Sequence, residues 1–176
     1  NYNLLVGKNL FDADVRNLRF NDSEFDYVIT NATLHHIDVP HVGISEMYRV
    51  AKKGVLIIES NDSLIMRLAC KIKLAEEFEE SSVDRNKKTG GLLDLGIPNY
   101  VYRWTEREIS KLLKSLDPSN KNTIIFDYEN DLTNIKSKNP LIKIIIFFSK
   151  IFFFFFKKQQ NCLSIFIDKT KSLKRF

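Results

Sequence analysis

The run Gly54-Val55-Leu56-Ile57-Ile58-Glu59 constrains the chain more than any other segment. Four consecutive large aliphatic residues leave no polar side chain for alternate positions. A strand made of them has apolar surroundings on both faces, as strands do inside a parallel sheet covered by helices. The flanking sequence agrees. Upstream, Asp38-Val39-Pro40 offers a cap and a proline suited to a first helical turn, and Val42, Met47, Val50 and Ala51 follow at roughly helical spacing. Lys52-Lys53-Gly54 then supplies the basic end and the glycine at which helices stop, so the helix is expected to end there. Downstream, Ser63 to Glu80 reads as a second helix with Leu64, Leu68, Ile72 and Ala75 on one side, fraying at the acidic end Glu76 to Glu80.

The same alternation continues on both sides. Asn9 to Asp14 and Phe25 to Asn31 read as strands, the second rich in the β-formers Tyr, Val, Ile and Thr. Thr105-Glu106-Arg107-Glu108 has capping-box spacing, and Ile109, Leu112, Leu113 and Leu116 give the apolar stripe of the helix it opens. Thr123 to Tyr128 and Cys162 to Ile167 are two further strands. Between the second helix and Thr105, residues 81–104 carry three glycines and Pro98 without a clean period, which reads as one long loop. Strands alternating with helices predict an α/β fold with a largely parallel sheet.

Charge is divided unevenly along the 176 residues. Residues 134–176 hold 10 of the 27 Lys and Arg, one of the 22 acidic residues and 9 of the 14 Phe, a net +9 against −4 for the rest. A basic, Phe-rich tail suits a membrane surface better than nucleic acid, which is usually met by Lys and Arg spread over a folded face. Within residues 139–158, Asn139-Pro140 starts a helix whose residues 141–156 are apolar except for Lys143, Ser149 and Lys150. Lys143, Lys150 and Lys157 stand seven apart and fall within about 40° of one another, opposite Ile145, Phe148, Phe152 and Phe155. The run is shorter than the roughly 20 residues a spanning helix needs. The expected place is the membrane interface; plain cover for the sheet, or a spanning or oligomer contact, stays open. Cys70 and Cys162 form neither a zinc pattern nor a disulfide framework, and a reduced, cytosolic setting follows as the default.

In α/β sheets, ligands sit beyond the carboxyl ends of the strands, and here the residues at those ends form a series. Asp14 is followed by Leu18-Arg19-Phe20, by Ser23-Glu24-Phe25-Asp26 leading into a strand, by Leu34-His35-His36, by Glu46-Met47-Tyr48-Arg49-Val50, and by Lys53-Gly54 before the apolar run. This order and spacing resembles the class I S-adenosylmethionine-dependent methyltransferases, in particular the type 11 group. The resemblance implies a seven-stranded Rossmann-like sheet and S-adenosylmethionine as cofactor. It matches Asp14 to the acid that accepts from the adenine amino group and Val15 to the neighbour whose N–H meets the ring. Thr30 and Asn31 match positions beside the methionine part of the cofactor, and His35 and His36 match positions at the mouth of the substrate pocket. His35 is then the candidate base or substrate orienter, and no metal is expected. Plainer roles remain for the same residues: Asp14 as a turn residue, and the histidines as buttresses of their turn.

The glycine-rich loop and ribose-binding acid of that family have no counterpart before Asp14. Asn1 to Val6 reads as the end of the helix preceding the family's third strand. The chain is therefore expected to be a partial methyltransferase domain, incomplete at its N-terminus, weak in cofactor binding alone and left with an exposed sheet edge. The segment from Pro98 to Trp104 places Tyr100, Tyr102 and Arg103 ahead of the capped helix, where related enzymes cover the acceptor. Aromatics with polar tips and a guanidinium suit a polar, even anionic, small molecule, though Trp104 also fits as a hydrophobic staple. Together these features predict methyl transfer to a small-molecule acceptor, lipid-linked or membrane-proximal, by a cytoplasmic protein peripheral at the membrane. The alternative is a non-catalytic remnant that binds a partner or membrane through its Phe-rich helix.

Overall fold

A computed structural model describes residues 13–118, 123–130 and 140–170. The expected helix end at Asn1 to Val6 and most of the strand from Asn9 to Asp14 lie outside these residues; Ala13 and Asp14 themselves are not in a strand. The central sheet runs β1 (Phe25–Asn31), β2 (Ala51–Ser60), β8 (Cys162–Asp168), β7 (Thr123–Glu129) in spatial order. The Rossmann-like α/β class holds, with one correction. Among the described residues only β1 and β2 are parallel, and β8 pairs antiparallel with both β2 and β7. The chain reaches β8 from β7 through α4 (Pro140–Phe155), a return that reverses strand direction.

Strand alternation decides what is buried. Val55 and Ile57 of β2 and Leu163, Ile165 and Ile167 of β8 all face one side, packed against α1 (Pro40–Val50) and α3 (Glu106–Leu116) through Ile44, Met47, Ile109 and Leu113. Trp104 closes this core, fully buried, and stands where a staple to Ile109 requires it, one residue before the cap. Thr105 is that cap: its Oγ1 accepts from Glu108 N at 3.1 Å.

Three boundaries differ from expectation for identifiable reasons. Helix α1 stops at Val50 and β2 begins at once at Ala51, so Lys52, Lys53 and Gly54 belong to the strand. Gly54 is required there by proximity: a Cβ would sit 2.9 Å from the Ile167 carbonyl oxygen across the ladder. Asp38 does not cap α1, whose cap position is Val39 without a side-chain bond; Asp38 accepts from Arg16 instead. The helix predicted to reach Glu80 is α2 (Leu64–Lys71), capped by Ser63 and ended by Lys73 at φ 59°. Its apolar side is exposed at Leu64, Leu68 and Ile72. Residues 78–100 are more ordered than a loop, with β3 (Phe78–Glu79) paired to β6 (Asn99–Tyr100) and β4 (Val83–Asp84) to β5 (Thr89–Gly90).

The signature residues before β1 and in α1 form a latch. Glu46 and Arg49 are paired at 2.8 Å; Glu46 accepts from Leu18 N, and Arg49 donates to the carbonyls of Leu18 and Phe20 and to Asp22. The Arg49 hydrogen bonds hold the Glu46 carboxyl below its ordinary value. Helix α4 is present, yet among its described side chains only Phe153 is buried, while Phe147, Phe148, Phe152, Phe154 and Phe155 are exposed. At 16 residues it is about 24 Å long. Among the described residues no helix is long and apolar enough to cross a membrane.

Candidate functional site

The parallel strands β1 and β2 end side by side, and two groups of residues gather beyond them. The first is built around Glu59. It shares the core-facing side of β2 with Val55 and Ile57, so strand alternation buries its carboxylate, whose side chain is wholly inaccessible. Oε1 accepts from Thr33 N at 2.8 Å and Leu34 N at 2.7 Å, and Oε2 meets His35 Nδ1 at 2.8 Å. Glu59 thus satisfies the start of the 3-10 turn Leu34–His36 and fixes the first imidazole. His35 is 8% exposed. Burial favours its neutral form, but the Glu59 hydrogen bond and charge, helped by Glu79, outweigh burial and raise it above its ordinary 6.5. Glu79 comes from β3 opposite Asn99 of β6; Asn99 Nδ2 donates to the His35 carbonyl at 3.1 Å and reaches Glu79 at 3.3 Å.

The second group lines a cavity of about 520 Å³ with Asp62, Arg67, Tyr100, Tyr102, Arg103 and Glu108 among its walls. Three of the residues expected to hold an acceptor, Tyr100, Tyr102 and Arg103, therefore meet there, while His35 and His36 are not in the lining. The Tyr102 hydroxyl donates to Glu108 Oε1, which His41 Nε2 also meets at 3.1 Å. Burial and the Glu108 carboxylate both push the Tyr102 phenol well above its ordinary value. Arg103 donates to the carbonyls of Glu76, at 2.6 Å, and Val101. Arg67 is held by Asp62, leaving Lys71 as a cation of the wall with no ion pair among the described residues.

None of the expected cofactor positions lines the cavity. Asp14 accepts from Arg16 N, Nε and an Nη, and the Arg16 hydrogen bonds lower its carboxyl to about 2. Val15 packs on the core, and among the described residues its backbone N–H has no partner. Thr30 and Asn31 close β1 in register with Ile57 and Ile58.

A family model described as "Methyltransferase domain" matches residues 3–58, about a third of the chain. The segment 3–58 is thus similar to a methyltransferase domain. No curated protein matches the chain. Among solved structures, a SAM-dependent methyltransferase of Thermotoga maritima is similar at 12% identity and TM-score 0.49, over 90% of this chain and 62% of that one. A SAM-dependent methyltransferase of Archaeoglobus fulgidus is similar at 16% and 0.48, over 96% and 71%. One of Methanosarcina mazei is similar at 18% and 0.49, over 92% and 66%. The chain thus spans 62% of the length of the first of these proteins.

Within the matched segment lie Asp14, Val15, Thr30, Asn31, His35 and His36; Glu59, Glu79 and the cavity residues lie beyond it. Arg16 makes four contacts to the Asp14 carboxylate, two on each oxygen, so a further donor such as an adenine amino group would have to share or displace that fork, while the adjacent Val15 N–H has no partner among the described residues. Sequence reasoning missed Glu59, Glu79, Asn99, His41 and Glu108. Glu59 had a readable signal: it keeps the parity of the buried Val55 and Ile57. Glu108 was read only as a capping-box residue, and nothing local marks Glu79 or Asn99, which depend on the pairing of β3 with β6.

Proposed function

We propose that the chain belongs to an enzyme that transfers a methyl group from S-adenosylmethionine to a small polar acceptor bound in the cavity beside Tyr102. The observation that carries this reading is the cavity itself, which lies just past the end of β2 and sets Tyr100, Tyr102, Arg103 and Glu108 of one stretch against Asp62, Arg67 and Lys71 of another. Asp14 and Val15 hold the adenine edge, and Thr30 and Asn31 flank the methionine part. The cofactor supplies an electrophilic methyl on a sulfonium, so the protein's own work is alignment and removal of the acceptor's proton. Glu108 faces the cavity and takes that proton, with Tyr102 and His41 steadying its carboxylate. His35 is not the base in this reading, because its ring is buried, fixed through Nδ1 and outside the cavity lining. Arg67, Lys71 and Arg103 stand in the wall against the acids Asp62, Glu77 and Glu108, a balanced lining that suits a polar acceptor.

Calorimetric titration of S-adenosylmethionine into the chain, and into a version extended by its upstream coding sequence, tests the reading. Binding by either form supports it, and binding by neither overturns it and leaves the non-catalytic alternative.

We further propose that α4 and α2 rest on an anionic membrane surface, in a reduced, cytosolic setting. Exposed Phe147, Phe148, Phe152, Phe154 and Phe155 adjoin exposed Lys150 and Lys157, and Ser63 and Ile65 bond to Gln159 just past α4, bringing exposed Leu64 and Leu68 near. A lipid-linked or membrane-proximal acceptor would then be within reach. Wild-type chain should sediment with anionic liposomes, and Lys150→Glu with Lys157→Glu should release it. A wild-type chain that stays in the supernatant refutes the membrane proposal.

A further inference from the structure

Two adjacent imidazoles and a carboxylate from a separate segment converge next to Glu59. His35 Nε2 is 3.6 Å from Glu79 Oε2, and His36 Nε2 is 3.7 Å from the same oxygen. One ligand atom from each residue lies within 4.8 Å of the other two. Neighbours in a 3-10 turn are rotated by about 120° and ordinarily point apart. Here their rings are tilted together, 4.4 Å between centroids, and both far nitrogens face one oxygen.

We infer that His35, His36 and Glu79 form a binding site for a first-row divalent cation of borderline softness, such as Zn²⁺, with one coordination position left open toward solvent. Bonds of about 2.0–2.2 Å in a tetrahedral arrangement place ligand atoms about 3.4 Å apart, so the two nitrogen–oxygen spacings to Glu79 need to contract by only a few tenths of an ångström, and the two imidazole nitrogens already lie within 4.8 Å of each other. Two imidazoles with one carboxylate and an open position is a donor set that such ions accept. The outer contacts also fit. Glu59 Oε2 takes the Nδ1 proton of His35 and so leaves the Nε2 lone pair for a metal, the carboxylate–histidine arrangement typical of metal sites. Asn99 positions the Glu79 carboxylate and ties it to the His35 backbone. The cluster is reachable, since the His36 and Glu79 side chains are 33% and 29% exposed. Around the His35 ring two carboxylates, Glu59 and Glu79, outnumber one guanidinium, Arg103, so the local charge favours a cation. Tyr100, adjacent to Asn99, belongs to the cavity wall. The inference stands on this ligand geometry and does not depend on methyl transfer.

Titration of Co²⁺ alone into the full chain, followed by visible absorption, tests it. One Co²⁺ per chain should give d–d bands that Zn²⁺ abolishes. His36→Ala and Glu79→Gln should each weaken binding at least about 10-fold, and Glu59→Gln about 10- to 100-fold. Cys70→Ser should change nothing. Circular dichroism confirms that each variant is folded. A readout without variants comes from the histidine ring resonances in nuclear magnetic resonance: the chain has three histidines, and Zn²⁺ should shift His35 and His36 while His41 stays still. Absence of bands, affinity within about threefold of wild type in both His36→Ala and Glu79→Gln, or a shift confined to His41 overturns the assignment. Because S-adenosylmethionine binding is read by calorimetry without metal, failure of the metal site and failure of the methyltransferase reading are distinguishable.

Discussion

The two faces of the central sheet are nearly equal in apolar sequence and unequal in burial. On one face Val55, Ile57, Leu163, Ile165 and Ile167 are closed off by α1, α3 and Trp104. On the other, the register aligns Ile29, Leu56, Phe166 and Ile125 across all four strands, yet Ile29 is 66% and Ile125 54% exposed. The candidate site grows from the covered face alone. Glu59 points into it, the 3-10 turn with both histidines packs beneath it through Leu34, and Tyr102 and Trp104 seal its edge. Stability and site geometry therefore share one set of contacts, and the second face contributes neither among the described residues.

The largest effect should come from the covered face. Ile57→Ala and Ile165→Ala each remove a fully buried side chain next to helices that cannot close the gap, and should cost about 2–5 kcal/mol by urea denaturation. A loss below about 1 kcal/mol at both positions would mean that the two faces do not differ in solution. Glu59→Gln should cost less, about 1–3 kcal/mol, because it keeps an acceptor for Thr33 and Leu34 N–H but loses the charged partner of His35. The histidine ring signals should report a freed His35 in that variant even if the fold holds. An unchanged His35 environment would remove Glu59 from its positioning role.

How far the sequence reveals this asymmetry depends on the range of the forces involved. β1, α3, β7 and β8 are legible because alternation, β-branching and a cap at Thr105 are local signals that tertiary contacts reinforce. The end of α1 is not, because Lys52-Lys53-Gly54 carries a stop signal that the β2 ladder overrides; only the approach of the Ile167 carbonyl reveals why glycine stands there. The same holds for the site. Tyr100, Tyr102 and Arg103 could be picked out by residue type ahead of a capped helix. The partner that binds His35 from β3, Glu79, is brought in by a two-residue pairing with no periodicity to detect. The parallel expectation for the sheet failed at β8, whose reversed direction leaves no mark in its own composition.

A smaller effect, dependent on pH, should arise where the latch meets the covered face. Arg49 holds the Glu46 carboxyl below its ordinary 4.5, so the folded state binds a proton there less readily than the unfolded one. The stabilisation is therefore present above the unfolded value and is lost as pH falls through the lower, folded value. Melting temperature should decline on acidification through and below the ordinary glutamate range, and Glu46→Gln should flatten part of that decline. An identical pH profile in the variant would show that the Leu18 to Asp22 segment does not rely on this pair.

The smallest effect should appear on the open face, where it is also most informative. Ile29→Thr and Ile125→Thr exchange one β-branched side chain for another, so strand propensity is conserved and only apolar contact is lost. With more than half of each side chain already in water, the expected change is under about 0.5 kcal/mol. Dye binding to exposed apolar surface should fall at the same time, since the row from Ile29 to Ile125 is interrupted at both ends. A cost of 2 kcal/mol or more at either position would mean that this face is packed in solution. The sheet would then be a two-sided layer, as the run Val55-Leu56-Ile57-Ile58 by itself implies, and the asymmetry between its faces would belong to the described residues rather than to the molecule.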